Sequence, residues 1–245
     1  MKNSKVAQNL VEMIQTEEKA KTFRMDYPVS EDLRAKMVNE VFSDFSAFVY
    51  EEFYNDETLM ILKEFVEESN PSVLKRQCLL DNLFWWQILY QTAQNTVSCV
   101  EEYLSVKFDR LRTKPFMTSW LRKCDKTVPN FYFIGEKFSD NHFLVVDLLT
   151  QNVLEVFLCH SDARSPKRGG IVAGTLHPLG GGLYFPVVDF YRFDYEAREA
   201  ICSCFHHHYE KFSKSSTPHE TFLHVLSVML QIEKKIATDK RNMPR

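Results

Sequence analysis

The glycines of this chain are confined to one stretch. All seven lie between Gly135 and Gly182, and the long segments before and after contain none. Glycine is needed mainly where the backbone takes a positive φ or passes close to another segment. This confinement therefore predicts one turn-rich β-module set between helical segments.

Short apolar runs separated by polar turns predict the strands of this module. Five strands are expected, at residues 131–134, 142–147, 153–159, 171–176 and 183–188. Since short connections favour antiparallel pairing, we predict a small antiparallel five-stranded barrel or a strongly twisted sheet. The second strand is apolar on both faces, which predicts that helices cover one outer face.

Three consecutive glycines, Gly180 to Gly182, have two interpretations. A phosphate-binding loop leads from a strand into the first turn of a helix, often with a lysine and a hydroxyl residue. Here a strand follows the glycines. We therefore interpret them as the hairpin turn between the fourth and fifth strands.

Helical periodicity dominates residues 1–115, which we expect to form an all-helical region. Helices are predicted at 4–22, 31–54, 56–69 with Asn55 or Asp56 as cap, and 72–113 with a break near 95–96.

Lys114-Pro115 is the predicted boundary to a second region, 116–245. That region adds a short helix at 116–121, the β-module, and two C-terminal helices packed on it. Asp194 is the expected cap of the first, and Thr217 to Glu220 form a capping box for the second. The fold class predicted is α+β.

Bulk composition limits the classes of function. The chain has a net charge of −3 and no strongly basic segment, which excludes a large electrostatic surface for nucleic acid. No apolar run is long enough for a membrane span or a signal peptide, so no membrane association is expected. Six scattered cysteines in such a chain predict reduced thiols and a cytoplasmic location.

The densest polar cluster runs from Cys202 to His208. Cys204, His207 and His208 are the candidate metal ligands, because helical spacing places such pairs on one face. Zinc is therefore a possible cofactor, with His160 or His177 as further ligands. The alternative is that Cys204 and His208 belong to the core face and the other histidines are solvated. No other cofactor is predicted.

Two catalytic interpretations are weaker. Cys159 or Cys204 could be a nucleophile beside a histidine, but Cys159 and its neighbour His160 point to opposite faces of a strand. Asp147 and Glu155 resemble part of a nuclease core, in which Phe157 replaces the required lysine. We therefore predict no catalytic residue and interpret Asp147 as a turn or edge residue.

A basic loop precedes the fourth strand. Arg164, Lys167 and Arg168 could bind phosphate or an acidic partner, and Tyr184 and Tyr191 could stack on the bases of a single nucleic-acid strand. The alternatives are a solvated loop and aromatic side chains that pack in the core.

Residues 147–185 resemble a small β-module found in uncharacterised bacterial proteins, some of which carry a SEC-C-type zinc motif. The sequence segments that carry the resemblance are Asp147-Leu148-Leu149-Thr150, Val153 to Val156 and Gly170 to Gly180. The resemblance implies a small β-domain and assigns no catalytic residue. Cys202-x-Cys204 lacks the glycine-rich turn and final ligand pair of the SEC-C pattern.

Three functional hypotheses follow from these patterns. The leading one is a non-enzymatic binding or regulatory protein that contacts a protein partner or a second copy of itself through the rim of the β-module and the helical surface. The others are a metal-dependent enzyme or metal-stabilised module using the Cys/His helix, and a protein that binds single-stranded nucleic acid.

Overall fold

The computed structural model describes residues 14–94, 97–159 and 165–242. Within these ranges the fold is α+β, as predicted, with helices packed on a small closed β-barrel. No helix in the described ranges is both long and apolar enough to cross a membrane. None of the six cysteines, all of which are described, forms a disulfide.

Residues 31–53 form one continuous rod with an unusual middle. The rod consists of α1 (Glu31–Lys36), a π-helical turn (Met37–Phe42) and α2 (Ser43–Phe53). The next helices are α3 (Asp56–Ser69), α4 (Val73–Gln94), α5 (Cys99–Val106), α6 (Phe108–Leu111) and α7 (Pro115–Leu121). Asn55 caps α3, because its side chain accepts a hydrogen bond from the Thr58 amide at 3.0 Å. The predicted helices between residues 31 and 121 are confirmed, and the predicted break at 95–96 lies outside the described residues.

The predicted helix at 4–22 is wrong where it can be compared. Residues 4–13 lie outside the described ranges, and residues 14–22 form an arm of turns with an isolated bridge between Gln15 and Val29. The buried Gln15 side chain donates to the carbonyls of Arg24 and Tyr27, both at 2.8 Å, and accepts from the Arg24 amide at 2.7 Å. These bonds and the bridge to Val29 hold Gln15 against the segment 24–29 instead of in a helix.

Five strands close into a barrel in the order β1-β2-β3-β5-β4. The strands are β1 (Pro129–Lys137), β2 (His142–Asp147), β3 (Val153–Phe157), β4 (Ile171–Gly180) and β5 (Leu183–Pro186), and a short β6 (Tyr191–Arg192) pairs with β4 outside the ring. The predicted all-antiparallel arrangement is corrected in one place, because β3 and β5 are parallel. A closed ring with an odd number of strands cannot alternate in direction all the way round, so at least one pair must be parallel.

Hydrophobic side chains pack on both faces of the barrel wall. Its interior is filled by an apolar cluster that includes Phe143, Val145 and Val156. Its outer face packs on helices, as predicted: the Phe185 ring lies 4.9 Å from that of Phe42, and the Phe131 ring lies 5.1 Å from that of Phe222. One continuous hydrophobic cluster includes side chains from both sides of Lys114-Pro115.

Two helices, α8 (Arg198–Ser213) and α9 (Pro218–Asn242), complete the described fold. The predicted capping box is confirmed, since the Glu220 carboxylate accepts from the Thr217 amide at 2.8 Å and the Thr217 hydroxyl accepts from the Glu220 amide at 3.3 Å. Asp194 does not cap α8. A 3-10 turn (Tyr195–Ala197) intervenes, and the Asp194 carboxylate pairs with Lys75 at 2.6 Å.

A buried carboxylate connects three separate parts of the chain. Glu233 of α9 is only 6% exposed. It accepts hydrogen bonds from the Lys75 ammonium of α4 at 2.5 Å, the Tyr191 hydroxyl of β6 at 2.6 Å and the Asp194 amide at 2.5 Å. Its charge is therefore matched by a cation and by two further donors.

The Gly180–Gly182 hairpin is confirmed, and it has a second role. All three glycines have positive φ, of 88°, 65° and 83°. The turn also lies against the N-terminal arm, where the Gly181 amide donates to the Met25 carbonyl at 2.9 Å. A Cβ on Gly180 would lie 2.7 Å from the Tyr27 carbonyl oxygen, whereas a Cβ on Gly182 would have no neighbour within 4 Å.

Replacing Glu233 with alanine should destabilise the fold strongly. The change leaves the Tyr191 hydroxyl and the Asp194 amide without their acceptor and removes the better-buried partner of Lys75, so the free energy of unfolding should fall by about 3–5 kcal/mol. Urea unfolding measures this. Lys234→Ala, at the next and exposed position, should change it by less than about 0.5 kcal/mol. Equal effects of the two changes would contradict the role given to Glu233.

The two outer glycines of the hairpin provide a matched pair of variants. Gly182→Ala should lower the free energy of unfolding by about 1–2 kcal/mol, because the only penalty is the strain of alanine in the left-handed backbone conformation. Gly180→Ala should cost clearly more, because the added methyl group also collides with the Tyr27 carbonyl and displaces the arm. Thermal and urea unfolding compare them, and equal losses would show that the contact with the arm carries no stability.

Candidate functional site

A groove of about 430 Å³ lies between α1 and the outer face of the barrel. The residues that matter for its chemistry are Arg34, Val38, His142, Glu155, Phe157 and Cys159. We call it the α1 groove. Because strand residues alternate between faces, β2 and β3 place His142, Glu155 and Phe157 outward while Phe143 and Val156 point into the barrel.

His142 is held in a fixed orientation on one wall of the α1 groove. Its Nε2 lies 2.6 Å from Glu155 Oε1. Its ring centroid is 5.0 Å from that of Phe138 and 6.1 Å from that of Phe157. The wall is therefore partly aromatic, and one carboxylate oxygen of Glu155 is already engaged.

Arg34 projects from α1 as the cation of this groove. It is half-buried, and its guanidinium makes no ion pair or side-chain hydrogen bond with any residue that the structure describes. A partly desolvated guanidinium has five donors and a charge that favour a carboxylate or a similar anion. The groove therefore combines an unpaired cation with apolar contacts from Val38 and Phe157.

Cys159 also lines the α1 groove but lacks the properties of a nucleophile. Burial raises the pKa of its thiol to about 12, although the nearby charge of Arg34 acts in the opposite direction. The reactive form of cysteine is the thiolate. The thiol is protonated near pH 7, which argues against a thiolate nucleophile at this position.

A second cysteine–histidine pair lies in the core. Cys124 Sγ is 3.5 Å from His177 Nε2, and both side chains are fully buried. Burial raises the pKa of the Cys124 thiol and lowers the pKa of His177 to about 3. Both groups are thus neutral and shielded from solvent, and His177 packs among the rings of Phe42, Trp120 and Phe185.

The candidate metal ligands Cys204, His207 and His208 all lie on α8. His208 stacks on Phe212, with ring centroids 6.2 Å apart, and His207 is exposed. Within the described ranges, no group of three cysteine, histidine or acidic side chains is arranged to hold a metal ion. His160 lies outside those ranges, and His177 is in the core, so zinc binding stays a prediction.

The candidate basic site is only partly described. Arg164 lies outside the described residues, whereas Lys167 and Arg168 are exposed. The Lys167 ammonium lies 3.8 Å from the centroid of the Tyr195 ring, which Arg198 also contacts at 4.0 Å. This cation–π contact holds Lys167 against the protein surface.

The two candidate base-stacking tyrosines differ in exposure. Tyr191 is fully buried, and its hydroxyl binds Glu233, so its ring has no free face for a base. Tyr184 is half-buried beside the barrel interior, with its hydroxyl 3.9 Å from Met25 Sδ. The predicted stacking role does not fit Tyr191, because its ring forms part of the core.

Sequence reasoning missed the α1 groove and identified the turn at Asp147. The carboxylate of Asp147 accepts from the amides of Leu149 and Thr150 at 2.8 and 2.9 Å, as expected of a turn residue. Arg34, His142 and Glu155 carry no recognisable motif. The available signal was the polar residues His142 and Glu155 at alternating, outward positions of apolar strands.

No protein-family model, curated protein or solved structure significantly matches this chain. The resemblance of residues 147–185 to a bacterial β-module therefore stays a prediction.

His177 should make the fold sensitive to acid. Its pKa of about 3 in the folded protein lies below the ordinary value near 6.5, so the unfolded chain binds a proton that the folded chain does not. The resulting stability is present above pH 6.5 and is lost as the pH falls, by up to about 1.4 kcal/mol per unit. The difference in unfolding free energy, wild type minus His177→Phe, should therefore fall as the pH is lowered from 6.5 to 5. Urea titrations at each pH measure both free energies, and the same pH dependence for wild type and His177→Phe would contradict this.

Proposed function

We propose that this protein is a non-enzymatic binding or regulatory protein that holds a segment of a protein partner in the α1 groove. The observation that carries the proposal is that Arg34 is half-buried in a groove with apolar lining, while its guanidinium has no ion pair among the described residues. The expected segment has one acidic side chain opposite Arg34, with apolar side chains next to it.

The chemistry of the groove supports binding over catalysis. Its thiol is neutral, since burial holds the pKa of Cys159 at about 12. The hydrogen bond between His142 and Glu155 fixes the shape of one wall. Pre-organised side chains reduce the entropy lost when a partner binds.

Apolar surface near the groove supports a protein segment as its occupant. Phe138, whose ring contacts His142, is 57% exposed, and Val153, an outward residue of β3, is 61% exposed. Exposed apolar surface beside a polar groove is typical of interaction sites. A small carboxylic acid could pair with Arg34 but would leave this surface uncovered.

Zinc binding and single-stranded nucleic-acid binding stay predictions without a supporting contact. The acidic neighbours of Arg34 in the groove, Glu31 and Glu155, oppose a polyanion.

Crosslinking from the groove should identify the partner. A photoreactive benzoylphenylalanine at the position of Val153 should form a covalent adduct with one protein, whereas the same probe at Leu74, which is 85% exposed and does not line the groove, should not. The crosslinked segment, made as a peptide, should bind the purified protein in calorimetry.

Arg34→Ala should weaken that peptide about tenfold or more, because a hydrogen bond to a charged group contributes about 1.5–3 kcal/mol. Lys63→Ala, an exposed cation on α3, is the matched control and should leave the affinity unchanged. Equal affinities of the Arg34→Ala variant and wild type would contradict the proposal. The proposal would also be contradicted if native mass spectrometry found a small carboxylic acid bound to the protein and no protein was crosslinked.

A further inference from the structure

An open cleft of about 610 Å³ lies between the N-terminal arm and α7, and it shares no lining residue with the α1 groove. Its walls come from residues 21–22 of the arm, from α5, from α7 and from the 3-10 turn at Cys124–Lys126. The arm is fixed against α7 by the Phe23 amide, which donates to the Ser119 hydroxyl at 3.2 Å, and by the rings of Phe23 and Phe116, whose centroids are 5.8 Å apart. We call it the Lys123 cleft.

The Lys123 cleft is positively charged in a protein that is negatively charged. Its lining carries four cations and two carboxylates, a net charge of +2, whereas the net charge of the whole chain is −3. Cations that share one concave surface repel each other, and a bound anion removes that repulsion. The charged residues of the lining are Lys21, Arg122, Lys123, Lys126, Glu101 and Asp125.

Both carboxylates of the cleft are already engaged within the protein. The Glu101 carboxylate accepts two hydrogen bonds from Arg122, at 2.6 Å from Nε and 3.1 Å from the second guanidinium nitrogen. Asp125 Oδ2 accepts from the Ser98 hydroxyl at 3.0 Å, and Asp125 Oδ1 has almost no accessible surface. Neither carboxylate therefore neutralises the lysines of the cleft.

The three lysines of the cleft are left without an anionic partner. The ammonium groups of Lys21, Lys123 and Lys126 make no ion pair or side-chain hydrogen bond within residues 14–94, 97–159 and 165–242. Lys123 is half-buried, so its charge is partly desolvated. Because an ion pair is stronger where water is partly excluded, Lys123 is the cation that gains most from a bound anion.

Hydroxyl groups add neutral donors to the cleft. Ser119 Oγ accepts from the Phe23 amide, which leaves the Ser119 hydroxyl hydrogen free to donate. Thr22, on the arm, is exposed on the facing wall. Thr118 is not available in this way, because its hydroxyl donates to the Pro115 carbonyl at 2.9 Å. Lysine ammonium and hydroxyl groups together are suited to the oxygens of a phosphate group.

We infer that the Lys123 cleft binds a small molecule through a phosphate monoester group. Such a group carries about −1.5 to −2 charges near pH 7 and three strong acceptor oxygens, which match three ammonium groups and a hydroxyl donor. A carboxylate brings one charge and leaves part of the excess unneutralised. The volume of the cleft lies within the roughly 300–1,000 Å³ of small-molecule sites, so it also holds the organic part of the ligand. This site does not rest on the function proposed for the α1 groove.

Phosphate compounds test the inference with the purified full-length chain at low ionic strength. Inorganic phosphate, ribose 5-phosphate and AMP are titrated at pH 7.5, with calorimetry and phosphorus NMR as readouts. At least one of the two esters should bind more tightly than inorganic phosphate, and adenosine, which lacks the phosphate group, should not bind. The affinity for the ester should fall at pH 5, where the phosphate group loses its second charge.

Three lysine variants locate the binding. Lys123→Gln should weaken the ester about 3–10-fold, because a charge-assisted hydrogen bond is lost while most of the side chain is retained. Lys21→Gln should also weaken it, since the arm places Lys21 on the facing wall. Lys235→Gln is the matched control: it changes the net charge equally, but Lys235 is an exposed residue of α9 outside the cleft, so the affinity should stay unchanged.

Three results would overturn the inference. The first is the absence of binding by all three phosphate compounds at millimolar concentration. The second is binding that Lys123→Gln and Lys235→Gln reduce equally, which would indicate a general effect of charge. The third is adenosine binding as tightly as AMP. None of these results bears on the crosslinking experiment at the α1 groove.

Discussion

The burial of one negative charge governs how the parts of this molecule are arranged. A carboxylate as enclosed as that of Glu233 is tolerated only with a cation and further donors in place. Those partners come from α4, from β6 and from the segment before α8. The helical layer, the barrel and the last helix must therefore dock together before the charge is satisfied, which couples the N-terminal half of the chain to its C-terminal helices.

Local chemistry made much of the fold predictable from the sequence. The Asn55 cap, the Thr217 capping box and the three-glycine hairpin each depend on residues a few positions apart, and all three appear as expected. The arm at residues 14–30 was missed because one side chain, Gln15, bonds backbone groups nine and twelve residues away. The parallel β3–β5 pair follows from ring closure, a property of the whole sheet that no single strand encodes.

The α1 groove was less predictable because it combines residues distant in sequence. Arg34 meets His142 and Glu155 only after the barrel has closed beside α1. The residues that did form conspicuous clusters in the sequence, such as Cys204 to His208, lie along one helix and are not brought together with further ligands among the described residues.

The π-helical turn at Met37–Phe42 sets the angular position of Arg34. A π turn holds one residue more than an α turn, and each residue of an α-helix advances the side chains by about 100°. The extra residue therefore rotates the face of α1 relative to that of α2 by about that angle. It allows Val41, Phe42 and Phe45 to remain in the core while Arg34 faces the groove. The rod thus works as two helices with separate orientations on one axis, so that the side chains of α1 and those of α2 can each face a different part of the fold.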